Sequence, residues 1–369
     1  MKYSRVCNPC HVQKESHWAR NWLIGILLVI AFAASFSLRN LAKAMQGSQK
    51  IYPIKTSGQQ RLKHPPSFIK LKPISNSVNI QALLSQFDAN RAFVHIVYLA
   101  THIGPRVAGT KEERAAAAYI ADQFQKYGYR VSYQKDIPLP PVGRKTQNII
   151  ATKKPLLTSA KYKIVVGAHY DSISKKGVLS PGANDNASGV GVMLEIARVL
   201  ANVELPYVLE FVAFGAEESV DGIFEHHHYG SNYYVATYLK NKFRSTPIVG
   251  MISIDMIGVG ENFYACTLGL ADPFLVRKAL ASAKRLGISM GTWGKGKRWS
   301  DHEAFEEAGI PSVWFHRRKD PAYHTARDLP DNIKQQNLQI AGRLVLHMLL
   351  SLSSHDLEKL TNLAGVKFN

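Results

Sequence analysis

From Asn79 onward the chain alternates between helical and strand-like hydrophobic patterns. "TKEERAAAAYIADQFQKYG" opens with a capping box, Thr110 to Glu113, and closes at Gly128, which predicts a helix. "YRVSYQKDI" and "QNIIAT" read as strands. "KYKIVVGAH" is a continuous apolar, β-branched run, as expected of a strand buried on both faces. A helix follows from about Ala187 to Ala201. Then come a strand ("YVLEFVAFG"), a helix ("GSNYYVATYLKNKF") and a strand ("IVGMISIDMIG"). A helix from Pro273 to Leu286, a short helix after Ser300, a strand ("PSVWFHR") and a helix from Lys334 to Leu352 complete the series. Such alternation predicts an α/β fold: a three-layer α/β/α sandwich around a mostly parallel mixed sheet.

The first 78 residues follow other rules. "WLIGILLVIAFAASFSL" (Trp22 to Leu38) carries no charge and follows a basic segment. It predicts an N-terminal hydrophobic helix within residues 1–45, acting as a signal peptide or an uncleaved signal anchor. Residues 46–78 are polar, basic and proline-containing, and read as a flexible linker. The folded domain then spans residues 79–369. This organisation places the domain outside the cytoplasm, held at the membrane or released by secretion or into a periplasm.

Composition changes that picture little. The net charge is +19 over 369 residues, a balance that often signals nucleic acid or an anionic membrane. The excess is concentrated early: eight basic residues and no acid lie between Arg39 and Phe87. No basic stripe runs through the folded part, which argues against nucleic-acid binding. The three cysteines, Cys7, Cys10 and Cys266, form no disulfide framework. "CNPCH" (Cys7 to His11) matches a haem-attachment pattern, but a short leader supplies no haem pocket.

The candidate chemistry sits where predicted strands end. "VVGAHYDS" ends at His169 and Asp171, "FVAFGAEES" at Glu217 and Glu218, and "MISIDMIG" contains Asp255. "DPAYHTARDLPDN" presents His324 after a strand and a turn. Asp185 lies between two asparagines in a glycine-rich loop; as a single residue it also fits a plain helix cap. In parallel sheets ligands bind beyond the carboxyl ends of the strands. Carboxylates gathered there would repel one another unless cations compensated them, and these nitrogen and oxygen donors suit a divalent metal.

The combination H-x-D, an Asp in a Gly/Asn loop, E-E, S-x-D, S-D-H and Y-H-T, in that order, resembles metallopeptidase family M28, the co-catalytic zinc aminopeptidases. The resemblance runs from "YLATHIGPRVAGT" to the final helix. It implies two Zn2+ per chain. Asp185 would bridge them, with His169 and Asp255 on one metal and Glu218 and His324 on the other. Asp171 would orient His169. Glu217 would be the general base, taking a proton from a metal-bridging water and passing it to the leaving amine. Tyr323 would donate to the oxyanion. The implied substrate is a peptide with a free N-terminus, hydrolysed at its first peptide bond.

Two other readings keep the same fold. One is a glutaminyl cyclase, with a single zinc; the other is a metal-free receptor or scaffold. A carboxypeptidase would want a basic pocket, for which Arg298, Arg317 and Arg318 are candidates. Ser300 and Glu303 read as a capping box. Asp301 and His302 are expected near the substrate side. "SVDGIFEHHHY", inserted before Gly230 and Ser231, departs from the family pattern. Its histidines, His226 to His228, read as a polar surface loop, with a rim of the substrate pocket as the alternative.

Overall fold

The computed structural model describes residues 79–153, 161–175, 177–223, 225–241, 246–293 and 298–365. The apolar stretch 22–38, the C-x-x-C-H motif and the linker 46–78 lie outside the described residues. Among the described residues no helix is long and apolar enough to cross a membrane.

Eight strands form one mixed sheet. They are β1 (Arg130–Leu139), β2 (Arg144–Lys153), β3 (Lys163–His169), β6 (Val208–Phe214), β7 (Ile248–Ile254), β8 (Phe263–Cys266), β9 (Gly291–Thr292) and β10 (Ser312–Arg317). Their order is β1-β2-β6-β3-β7-β10-β8-β9. The centre, β6-β3-β7-β10, is parallel. Antiparallel pairing brings in β1 and β2 on one side and β8 on the other. A two-residue hairpin, β4 (Ser174–Lys175) with β5 (Val178–Leu179), stands apart.

Successive side chains of the central strands feed two cores. Ile164, Val166 and Ala168 of β3 join the larger cluster, with the helices Ala89–Val97, Lys111–Lys126, Ser188–Leu200 and Gln335–Leu350. Val165 of the same strand faces the smaller cluster with Tyr234, Val235, Ala304 and Phe305, from the helices Tyr229–Asn241 and His302–Glu307. This two-sided burial is why β3, β6 and β7 read as unbroken apolar runs.

The structure departs from the sequence reading at several places. Short helices, Ile80–Ser85 and Ala89–Val97, open the domain, and a helix Ser354–Leu363 follows the one expected to be last. β8 and β9 extend the sheet with short edge strands that leave little periodic signal. β7 stops at Ile254, so Asp255 stands just past the strand rather than within it. Thr110 caps its helix, but the Glu113 carboxylate accepts from the Gly109 N–H, one residue earlier than a capping box requires. At Ser300 there is no capping box. The N-cap residue is Asp301, without a side-chain cap, while the Ser300 hydroxyl meets the Ser253 hydroxyl at 3.0 Å.

Candidate metal centre

Parallel pairing aligns the carboxyl ends of β3, β6, β7 and β10, and so collects what those ends carry. His169 is the last residue of β3, Glu217 and Glu218 follow β6, and Asp255 follows β7. His324 arrives on the turn after β10 and Asp185 from the irregular turn Ala183–Ala187. All are buried except His324, which is partly exposed.

Asp185 does not cap the following helix; the N-cap is Ala187, with no side-chain bond. The asparagines beside it explain the loop. Asn184 Oδ1 accepts from the N–H groups of Gly258 and Val259, at 2.9 and 3.1 Å. Asn186 Oδ1 accepts from Gly189 and Met256, and its Nδ2 donates to the Ile254 carbonyl at 2.9 Å. Asp328 accepts from the backbone N–H groups of Asn184 and Asp185, at 2.7 and 3.0 Å. The loop is thus bolted to the segment that carries Asp255. A Cβ on Gly189 would lie 2.1 Å from the Ile254 carbonyl oxygen, so glycine is required for this approach. Behind the loop, buried Arg106 donates to the carbonyls of Leu99, Gly104, Tyr170, Pro181 and Gly182.

The donor atoms fall into two groups. His169 Nε2 lies 3.2 Å from Asp185 Oδ1 and 3.5 Å from Asp255 Oδ1. His324 Nε2 lies 3.3 Å from Asp185 Oδ2 and 3.3 Å from Glu218 Oε1. Within each trio the donor atoms all lie within 4.8 Å of one another. Zinc with ligands at roughly 2.0–2.1 Å in a tetrahedron has donor–donor edges of about 3.3–3.4 Å. The observed separations match those edges. The two oxygens of Asp185 point to different trios. Asp255 Oδ1 and Glu218 Oε1 are buried without a hydrogen-bond partner. Buried, unpartnered carboxylate oxygens are costly, and a cation removes that cost. The residues therefore fit a pair of zinc ions.

The electrostatics show the same crowding. Burial opposes charge on His169, yet Glu217, Asp171, Asp185 and Asp255 raise its pKa well above the usual value. Burial and the Asp185 charge push Glu218 up to about 8. Asp171 touches three site residues. Its oxygens accept from the backbone N–H groups of Glu217 and Glu218, both at 3.1 Å, and Oδ1 lies 3.4 Å from His169 Nδ1.

Glu217 Oε2 faces the centre, 3.8 Å from His169 Nε2, while Oε1 is 2.8 Å from His228 Nε2. His228 was not expected here. Only 1% of it is exposed, which overturns the surface-loop reading for this histidine. His226 does stay near the surface, 2.7 Å from Asp221. His227 lines the cleft. Asp301 and His302 are wholly buried behind the cleft wall: Asp301 lies within electrostatic reach of Glu217 and His228, and His302 stacks on Trp314 at 5.3 Å.

The cleft holds about 500 Å³, within the range of small-molecule sites. The carboxylates form its floor, and Trp293, Trp299, Trp314 and His316 line it. Tyr323 is half-exposed in it, its ring 3.7 Å from that of His324. Arg298, Arg317 and Arg318 reach the wall without forming one anion pocket. Arg298 is engaged by Glu303 and Glu307. Arg317 donates to the Glu261 carbonyl, and Arg318 lies 4.0 Å over Trp293. Among the described residues six non-glycine residues have positive φ, and four of them, Ala216, His228, Met256 and His324, are site residues or their immediate neighbours. Each such residue costs about 1 kcal/mol or more, strain that persists only where surroundings fix it.

The chain is 35% identical over 210 residues to aminopeptidase YwaD of Bacillus subtilis, covering 54% of this chain and 43% of that protein. Among solved structures, a leucine aminopeptidase precursor from Bacteroides thetaiotaomicron is 26% identical, with a TM-score of 0.62. The match covers 72% of this chain and 98% of that one. A glutaminyl cyclase from the same organism matches with 26% identity and a TM-score of 0.63, over the same shares of the two chains. The sequence model of Peptidase family M28 matches residues 148–349, more than half of the chain, and the chain belongs to that family.

Proposed function

We propose that the protein is a zinc aminopeptidase that hydrolyses the N-terminal peptide bond of peptides with a free amino terminus. One observation carries the reading: two donor trios share the carboxylate of Asp185, beside a buried glutamate that is in neither. His169, Asp185 and Asp255 would hold one zinc, and Asp185, Glu218 and His324 the other. When bound, the metals supply Lewis acidity to the scissile carbonyl and lower the pKa of water.

The chain's own residues do the rest. Glu217 Oε2 accepts the proton of the attacking water and later delivers it to the leaving amine nitrogen. Burial raises the Glu217 pKa, opposed by His169 and His228, which suits a group that must take up and release a proton. Asp171 holds the backbone of both glutamates and turns His169 toward the centre. The Tyr323 hydroxyl donates to the oxygen that gains charge in the transition state. The tryptophan-lined wall receives the side chain of the first residue. The apolar stretch 22–38 supports an exported or membrane-anchored placement.

A second reading, glutaminyl cyclisation, is favoured by the likeness to the Bacteroides cyclase. The full-length chain is assayed for bound zinc, for hydrolysis of aminoacyl-p-nitroanilides and for cyclisation of an N-terminal Gln peptide, beside Glu217→Gln. Two zinc ions and hydrolysis lost in the variant are expected. Cyclisation without hydrolysis would replace this reading with the cyclase.

A further inference from the structure

The loop between Glu218 and Tyr229 returns a histidine to the glutamate it left. The His228 N–H donates to the Glu217 carbonyl at 2.9 Å, and the Tyr229 N–H to that of Ala216 at 2.8 Å. This pairing closes the loop and sets the two side chains against each other. His228 Nε2 is 2.8 Å from Glu217 Oε1, and its Nδ1 is 3.3 Å from Glu303 Oε2. The other Glu303 oxygen is engaged by Arg298. His228 holds φ at +56°, a conformation disfavoured for histidine. The backbone here is fixed in an unfavourable state that keeps the ring between two carboxylates.

We propose that His228, backed by Glu303, is a positioning residue that holds the Glu217 carboxylate for proton transfer. The proposal rests on the aminopeptidase reading above for the role of Glu217. A glutamate side chain has three rotatable bonds, and its carboxylate turns freely unless tied. With Oε1 tied to His228, only Oε2 is left to meet the proton, and it already faces the centre. Misplacing such a group by about 1 Å costs on the order of 100-fold in rate. Both ring nitrogens face carboxylates: Nε2 is hydrogen-bonded to Glu217, and Nδ1 lies 3.3 Å from Glu303 without a formed hydrogen bond, a setting that favours charge on the ring. Burial opposes that charge, but Glu217, Glu303 and Asp301 outweigh it and raise the His228 pKa to about 10.

The same atoms admit a rival. His227, His228 and Glu303 each offer a donor within 4.8 Å of the others, so a third cation is the alternative occupant. The zinc-loaded full-length protein distinguishes the two. Gln places its amide nitrogen where Nε2 stands and keeps the bond to Glu217. Asn places its own where Nδ1 stands and reaches only Glu303. His228→Asn should lower kcat for leucyl-p-nitroanilide about 100-fold, with KM and zinc content unchanged. His228→Gln should stay within about tenfold of the parent, by the same argument.

Equal losses in both variants, with less zinc and a lower Tm, would reduce His228 to a loop anchor and overturn the proposal. So would a third metal equivalent that disappears in His227→Ala. Imidazole proton NMR reads the clamp without turnover. A downfield signal from the ring N–H bonded to Glu217, lost in His228→Gln, is expected, and its absence overturns the clamp. Failure of the wild-type chain to hydrolyse any aminoacyl substrate would instead defeat the aminopeptidase reading, leaving the clamp to be judged by those signals.

Discussion

The two loops that meet at the centre are held by different chemistry. The Asp185 loop is fixed largely by amides: Asn184 and Asn186 bond backbone groups on both sides of Asp255, while Asp328, Asp320 and Arg106 add charged partners. The Glu217 loop is fixed by ionisable groups, with Asp171 beneath it and His228 and Glu303 beside it. Amides do not titrate, so the bonds that tie the first loop to the segment of Asp255 do not depend on protonation. Carboxylates and imidazoles share protons and fields, so the second loop couples its geometry to the group that would move a proton. Under the proposed function, the contrast would separate holding metal from transferring a proton.

The sharpest way to break the contrast is Asp185→Asn, which removes the charge and barely changes the size. Loss of both metals and at least about a 10³-fold fall in hydrolysis are expected, since base and electrostatic contributions vanish together. Retained activity would mean the loop does not serve both trios.

Next in size is Asn186→Ala. It strands the Met256 and Gly189 N–H groups and the Ile254 carbonyl. At roughly 1–3 kcal/mol for a buried group left unpaired, partly offset by water entering the space, a loss of about 3 kcal/mol is expected by denaturant unfolding. A loss below about 1 kcal/mol would show that the amides do not carry the loop. Chelation should lower Tm as well, because each site bound at 100 times its Kd contributes about 2.7 kcal/mol.

The smallest expected effect lies far from both loops and serves as a reference. Burial acts against the Asp356 charge, but the Ser353 N–H and Lys278 hold its pKa below the usual value. A depressed carboxylate stabilises the fold above its unfolded pKa and loses that contribution as pH falls through the folded one. Asp356→Asn should therefore be less stable than the parent near neutrality, with the difference shrinking below about pH 4. A gap that persisted in acid would point to capping geometry rather than charge.

Much of the centre is legible in the sequence, because strand ends in a parallel sheet share an edge. His169, Glu217, Glu218 and Asp255 needed only that rule to be placed together, and the structure brings Asp185, His324 and Asp171 to them. What holds them was less visible. Asn184 and Asn186 carried the signal of a loop, but their partners lie about 70 residues away. Arg106 gave no periodic cue, since it binds carbonyls rather than a charged residue. The Ser300 capping box failed because tertiary partners claim both side chains: Ser253 takes the serine, and His228 and Arg298 take the glutamate. His228 was hidden among its neighbours. A sequence rule that asks which residue must rejoin Glu217 when the inserted loop closes would have pointed to it.

The most direct test of the shared carboxylate is a metal titration of the full-length chain and three variants. The wild-type chain should bind two zinc ions. His169→Asn and His324→Asn should each lose a different one, and Asp185→Asn should lose both. One zinc in the wild-type chain, or two retained in Asp185→Asn, would contradict the account.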